Sequence, residues 1–125
     1  MAAYLNRVEL LGQLTGEPAI VQQADGSQCI GFGLSVTTQV PNLRGETVGE
    51  TCLLDVRCFG RTADSVRASV HDGMMVFIDG RLQMERWVDS TTGLRRSRLY
   101  VVADTLVVAE FGAVPASPDA DGSAF

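Results

Sequence analysis

Two aromatic residues are the side chains of this sequence whose type and position most clearly suggest chemistry. Phe59 and Trp87, the only tryptophan, fall in stretches where polar and apolar residues alternate, and both occupy positions of the polar set. Large aromatic rings on an otherwise solvated strand face are costly unless another group covers them. A nucleobase is one such cover, because bases stack on aromatic rings while arginines hold the phosphates. Burial of the rings against a partner subunit, a loop or the end of a hairpin is the alternative, and the pattern leaves both open.

Arginines gather close to Trp87. All 10 basic residues of the chain are arginine. Four of them lie on the two sides of a predicted hairpin tip: Arg86, Arg95, Arg96 and Arg98. A guanidinium suits a phosphate, since its planar fork donates two parallel hydrogen bonds. The alternative is a solvated hairpin whose charges pair across the strands with Glu85 and Asp89.

The overall charge does not by itself indicate a polyanionic partner. The chain carries 10 basic and 15 acidic residues, which gives a net charge of −5. A domain that binds nucleic acid through bulk electrostatics would be basic. Any such binding must therefore come from a local stripe of arginines within an acidic protein.

The sequence offers little for catalysis or metal binding. His71 is the only histidine and has no partner for a metal site, a Ser-His-Asp arrangement or a Cys-His arrangement. The segment Gly31-Phe32-Gly33 lies within a predicted strand and lacks the lysine and hydroxyl residue of a phosphate-binding loop. We therefore predict that the protein is not an enzyme and uses no cofactor and no metal.

Three cysteines, Cys29, Cys52 and Cys58, form no CxxC pair, and an odd number argues against a disulfide framework. The sequence also has no recognisable secretory signal and no apolar run of roughly 18 residues that could cross a membrane. These features predict buried, reduced thiols in a cytoplasmic protein.

The hydrophobic pattern has a period of two along most of the chain, which is typical of half-buried strands. Only Arg61–His71 has helical spacing. A long hairpin is predicted from Met74–Val88 and Leu94–Val102, with a turn at Asp89–Gly93 and a further short strand at Thr105–Val108. One helix between the third and fourth strands is the layout of a five-stranded oligonucleotide-binding (OB) barrel, although the order is not unique to that fold.

The chain length of 125 residues suits one domain. We predict an all-β OB barrel with one short helix and a long hairpin over residues 1–110. Gln39–Glu50 has little apolar content and is predicted to be a loop between strands. Residues 111–125 are rich in small and polar residues and are predicted to form a short, disordered, acidic tail.

Strand parity predicts which side chains face outward. On the strand that precedes the helix they are Leu53, Asp55, Arg57 and Phe59. On the first strand of the long hairpin they are Met75, Phe77, Asp79, Arg81, Gln83, Glu85 and Trp87.

Several segments, taken in order and spacing, resemble the bacterial single-stranded DNA-binding proteins. They are residues 6–14 with Glu17-Pro18, residues 32–36, residues 55–60, and residues 76–82 followed by Arg86-Trp87 and Gly93. The resemblance covers about residues 5–110. It implies an OB barrel, usually a homotetramer, that binds single-stranded DNA without sequence preference in replication, recombination or repair. Such a protein would be cytoplasmic and associated with the nucleoid.

The resemblance also implies a set of site residues. Bases would stack on Phe59 and Trp87. Phosphates would be engaged by arginines, which we expect to be Arg7, Arg57, Arg81, Arg86, Arg95 and Arg96. The tail residues Asp119, Asp121 and Phe125 would recruit replication and repair proteins, as the tail of the family does.

The sequence departs from the family pattern at several of these positions. The family usually has a tryptophan where Leu53 stands and another near Val40. Acidic or neutral residues replace basic ones on the expected binding face, at Asp55, Gln83 and Glu85. These departures characterise a divergent member. They also favour an alternative function, an oligomeric OB-fold protein-interaction module with little affinity for DNA.

Overall fold

The computed structural model describes residues 3–109 of the chain. These residues form six strands and one helix. In chain order the elements are β1 (Val8–Leu14), β2 (Ala19–Gln22), β3 (Gln28–Pro41), β4 (Thr47–Cys58), α1 (Gly60–Ser69), β5 (Met75–Val88) and β6 (Arg95–Val108).

The strands close into a five-stranded barrel. Their order in the sheet is β1-β5-β6-β4-β3-β2, and β1 also pairs with β3 to close the ring. Since β1 and β2 pair with successive parts of the same edge of β3, they act together as one bent barrel strand. The closed barrel with one helix and a long hairpin confirms the predicted fold class.

The barrel core consists of the residues that alternate toward one side of each strand. Leu34, Val56 and Ile78 have no exposed surface. Their buried neighbours in the same cluster include Leu14, Ile30, Phe32, Cys58, Val76, Val101 and Ala103. Burial of a Leu, Ile or Val side chain contributes about 1.5–3 kcal/mol. The apolar side chains whose alternation predicted the strands therefore also stabilise the closed barrel, because closure buries them.

The helix α1 covers one end of the barrel with Ala63 and Val66, both of which are buried. It starts directly after Phe59, and Val70 ends it by donating its N–H to the carbonyl of Val66 at 3.0 Å. The predicted helix began one residue later and ended two residues later. The helix thereby fixes Phe59 at the junction between β4 and α1.

The predicted loop at Gln39–Glu50 is wrong. β3 and β4 form a continuous antiparallel ladder that runs out to Pro41 and Thr47, so only residues 42–46 turn. Asn42 holds the turn, because its Oδ1 accepts hydrogen bonds from the N–H groups of Arg44 and Glu46, both at 2.9 Å. This part of the hairpin extends beyond the barrel, and most of its side chains are exposed on both faces. Its strands therefore lack the apolar alternation that revealed the others.

The predicted separate strand at Thr105–Val108 is also wrong, because β6 runs without a break from Arg95 to Val108. A bulge at Asp104 shifts its register against β5 between Asp79 and Gly80. Gly80 is required at this point, since a Cβ there would collide with the backbone carbonyl of Val102. Past the buried Gly80 and Tyr100 the two strands leave the barrel. We call this projecting ribbon, residues 81–99, the arm.

Candidate nucleic-acid interface

Trp87 lies near the tip of the arm and is partly exposed. Its cross-strand partner is Arg96, and Glu85, two residues earlier, pairs with Arg98. Directly paired residues point to the same face of a ladder, so both arginines share the face of Trp87. The guanidinium of Arg98 lies 5.6 Å from the centroid of the Trp87 ring. The arrangement is a cation–π pair on one side of an indole that remains partly open to solvent.

Phe59 is 38% exposed at the end of β4. By strand alternation it shares the outer face of β4 with Arg57 and Asp55. Arg57 contacts Glu85, which lies on the Trp87 face of the arm. The pair of Arg57 and Glu85 therefore joins the outer face of β4 to the Trp87 face of the arm, and each of these two faces carries an aromatic ring.

The structure corrects the prediction that Arg57 points outward, where its guanidinium could contact a phosphate. Its parity is outward, but its side chain is only 4% exposed. Nη2 donates to Glu85 at 3.0 Å, Nη1 donates to Gln23 at 3.2 Å, and the guanidinium lies 4.0 Å from the centroid of the Tyr100 ring. Neighbouring strands and the turn after β2 cover it, and strand parity carries no information about such cover.

Charge in this buried cluster is balanced within the protein. Burial would lower the pKa of Arg57, but the hydrogen bond and the charge of Glu85 hold that pKa above its ordinary value. The hydrogen bond from Arg57 and the N–H of Ala24 keep the pKa of Glu85 below its ordinary value. The predicted cross-strand pairing of Glu85 with the arginines of the tip is thus secondary, because its main partner lies on β4.

The other predicted phosphate ligands are exposed but distributed over different surfaces. Arg7 pairs with Glu9 at 2.8 Å and with Asp79 at 3.1 Å, and Arg81 pairs with Asp104. Exposed ion pairs of this kind are weak and are screened by salt, so an incoming phosphate could replace any of the three carboxylates.

Besides Arg81 at its base, three predicted arginines belong to the arm. Arg96 lies on the Trp87 face, where its Nε is 3.3 Å from a carboxylate oxygen of Asp89. Arg86 and Arg95 pair with Ser97 and Val88, which places them on the opposite face of the ribbon. The predicted patch around Trp87 is therefore divided between two faces.

Sequence reasoning did not assign Arg98, Tyr100 or Gln23 to the site. Arg98 belonged to the predicted patch, but only the cross-strand register shows that it shares the face of Trp87. Tyr100 and Gln23 act through the buried Arg57, and no local sequence signal marks that contact.

An open cleft of about 390 Å³ lies beside these residues, between β4 and the base of the arm. Its walls are mainly apolar and include Leu53, Leu82 and Leu99. Leu53 is 74% exposed, and Asp55 contributes a carboxylate to the rim. The cleft can accept an apolar or aromatic face, although Tyr100, the aromatic residue of its lining, is buried and has the guanidinium of Arg57 over its ring.

The remaining features of the described residues add no catalytic chemistry. Within residues 3–109 no group of three or more His, Cys, Asp or Glu side chains is placed to hold a metal ion. Burial raises the pKa of the Cys58 thiol to about 12 and also raises the pKa of Cys29. Cys52 is exposed, which corrects the prediction that all three thiols are buried. No helix in this part of the chain is long and apolar enough to cross a membrane.

The predicted tail residues Asp119, Asp121 and Phe125 lie outside the described residues, as does the predicted domain boundary near residue 110.

Comparison with known proteins gives a consistent result. The sequence model of the Single-strand binding protein family matches residues 5–109. The chain is 35% identical over 101 residues to the single-stranded DNA-binding protein of Helicobacter pylori, which covers 81% of this chain and 56% of that protein. It is 29% identical over 102 residues to the single-stranded DNA-binding protein of Aquifex aeolicus, covering 82% of this chain and 68% of that one.

Solved structures agree on the fold. A Plasmodium falciparum SSB in complex with ssDNA superposes with a TM-score of 0.72 at 16% identity, covering 88% of this chain and 99% of the other. A deletion mutant of the Thermus aquaticus single-stranded DNA binding protein superposes with the same TM-score of 0.72 at 25% identity, covering 86% of this chain and 51% of the other. The chain thus spans only about half of some of the proteins that it matches.

Proposed function

We propose that this chain, which belongs to the single-strand binding protein family, binds single-stranded DNA without sequence preference. The observation that carries the proposal is the partly exposed Trp87 with Arg98 beside it, on an arm that projects from an OB barrel. The family consists of binding proteins, and the chain is not an enzyme.

In this proposal, bases stack on Trp87 and on Phe59, because every base has a π-face and stacking needs no particular sequence. Arg96 and Arg98 supply positive charge on the same face as Trp87, and Arg7 and Arg81 exchange their exposed carboxylate partners for phosphates. Arg57 is left out of the phosphate ligands, since its donors are engaged by Glu85 and Gln23. Few phosphate contacts and a net charge of −5 imply moderate affinity.

The alternative is an oligomeric protein-interaction module with little affinity for DNA. Acidic partners at Arg7, Arg57 and Arg81 favour it, because they neutralise three of the expected phosphate ligands. The exposed apolar lining of the cleft favours it as well, since Leu53 presents no ring to a base.

A second surface supports a homo-oligomer, which we propose to be a homotetramer. Leu11 pairs with Phe77, and Phe77 pairs with Val107, so the three side chains form a stripe across β1, β5 and β6. They are 45%, 38% and 55% exposed. A second copy of the chain would bury this stripe. Light scattering at micromolar concentration should report the mass of four chains, and a monomer would contradict the proposal.

The cellular role is proposed on the same basis. The protein would act in DNA replication, recombination or repair, in the cytoplasm and at the nucleoid. Residues 119–125 would recruit partner proteins, with Phe125 and its carboxylate docking into a basic, apolar-lined pocket. A pull-down that compares the full chain with one lacking Phe125 tests the docking, and identical partners from both would contradict it.

The central experiment is a fluorescence titration with a thymine oligonucleotide, since Trp87 is the only tryptophan. Stacking should quench its emission, and binding should weaken steeply with salt as phosphate contacts release counterions. A duplex of the same length serves as the control. Absence of quenching and of salt-dependent binding at low ionic strength would favour the interaction module.

A further inference from the structure

The arm has few attachments to the barrel. At its base the side-chain amide of Asn6 pairs with the backbone of Leu82, with hydrogen bonds of 2.8 and 2.9 Å, and Arg81 pairs with the exposed Asp104. Farther out, Glu85 contacts β4 and the turn after β2. Within residues 3–109, no hydrogen bond joins residues 86–99 to anything outside the arm. A two-stranded ribbon is only marginally stable by itself, so these attachments determine where the tip lies.

Glu85 is the outermost attachment, and both of its oxygens are used. Oε1 accepts from the buried guanidinium of Arg57 at 3.0 Å, and Oε2 accepts from the N–H of Ala24. Arg57 is itself held in place by Gln23 and by the ring of Tyr100. One carboxylate therefore joins the arm to two separate parts of the barrel.

Trp87 lies two residues beyond Glu85 on the same face of β5, and Arg98, the cross-strand partner of Glu85, lies beside the Trp87 ring. We propose that Glu85 is a positioning residue, which fixes the direction of the arm and thereby the place of Trp87 on the binding face. This inference rests on the proposed function, because it assigns Glu85 a role in presenting the stacking ring.

Electrostatics alone predicts the opposite effect. Glu85 is a negative charge close to a surface proposed to bind phosphates, so its removal should strengthen binding if its charge were the only factor. A positioning role predicts weaker binding, since a displaced Trp87 loses its stacking geometry. The sign of the change therefore separates the two explanations.

The test uses the full chain and three variants. Glu85→Ala removes the hydrogen bonds that the carboxylate accepts from Arg57 and from the N–H of Ala24. Arg57→Met combined with Glu85→Ala removes them without leaving a buried charge and without changing the net charge, because one charge of each sign is lost. Asp64→Ala, on the exposed face of α1, is the charge-matched control for Glu85→Ala. Each protein is measured for thymine-oligonucleotide affinity and, without DNA, for the fluorescence anisotropy of Trp87.

Both Glu85 variants should bind about tenfold more weakly than the unchanged protein, which lies within the range for loss of one stacked base. Their Trp87 anisotropy should fall, while Asp64→Ala should leave it unchanged. Equal or tighter binding, or weaker binding with unchanged anisotropy, would overturn the positioning role. If no protein binds the oligonucleotide, the proposed function fails, and the anisotropy of the free proteins still supports or overturns the positioning of Trp87 by Glu85.

Discussion

The guanidinium of Arg98 and the ring of Trp87 lie 5.6 Å apart on one face of the arm. Arg98 also lies opposite Glu85, so it stands between a carboxylate and an aromatic ring. A cation–π contact at a partly exposed site is worth about 0.5–1 kcal/mol. The pair is therefore weak enough for Arg98 to move toward a phosphate while the ring stays available to a base.

Replacement of Trp87 by alanine should weaken single-strand binding by about 1–3 kcal/mol, the usual loss for one stacked base. The melting temperature should change little, because the arm lies outside the barrel core. Titration and thermal unfolding of the same samples check both parts. A large fall in melting temperature with unchanged affinity would mean that the ring acts in packing.

Phe59 and Phe77 offer a matched comparison, since each is 38% exposed. Phe59→Ala should weaken DNA binding by about 1–3 kcal/mol and leave the molecular mass unchanged. Phe77→Ala should instead reduce the assembly, because it removes the middle of the stripe with Leu11 and Val107. Light scattering and titration of both variants measure the two properties, and a loss of affinity in both at equal mass would contradict the separation of the two surfaces.

Charge reversal should act differently at two acidic positions. Asp55 is exposed at the cleft, so Asp55→Arg should tighten binding and steepen the dependence on salt by about 0.7 in the log–log slope per phosphate gained. The sequence predicts the same for Glu85. The structure predicts instead that Glu85→Arg destabilises the fold, since it sets two guanidinium groups against each other in a buried cluster. Salt titrations and denaturant unfolding distinguish the two.

Stability should fall as the solution is acidified. Four carboxylates, Glu17, Asp25, Glu85 and Asp89, have pKa values below their ordinary ones, so the folded state binds fewer protons than the unfolded state. Their contribution is complete above the unfolded pKa and is lost as the pH falls through the folded pKa. Urea unfolding at a series of pH values below about 5 measures this loss. Glu85→Gln, which cannot titrate there, should be less stable at neutral pH and show a shallower decline.

The fold could be predicted from the sequence because the core imposes a period of two on the strands. Ile78 and Leu34 belong to that pattern, and both are fully buried. The outer part of the β3–β4 hairpin could not be predicted, since Gln39 and Glu50 lie in strands with water on both faces and no pattern results. The continuation of β6 through residues 105–108 was hidden by the bulge at Asp104, which interrupts the alternation.

The site could be predicted in part. Alternation identifies Trp87 and Phe59 as outward, and both remain partly exposed. The same alternation assigns Arg57 outward, but the cover over it comes from Gln23, Glu85 and Tyr100, which are 34, 28 and 43 residues away in the sequence. The division of the arm arginines between two faces depends on the register between β5 and β6. That register cannot be predicted from the sequence of either strand alone.

The bulge at Asp104 also determines which surface the arm arginines serve. If Asp104 paired directly with Gly80 instead of bulging out of the ladder, Ser97 would stand opposite Trp87 in place of Arg96. Arg96, Arg98 and Tyr100 would then lie on the face of the ribbon opposite to Trp87. The register of β6 against β5 can therefore shift by two residues, but not by one, if Trp87 is to keep arginines on its face. A shift of one residue would preserve the ribbon and carry the arginines of β6 away from the face of Trp87.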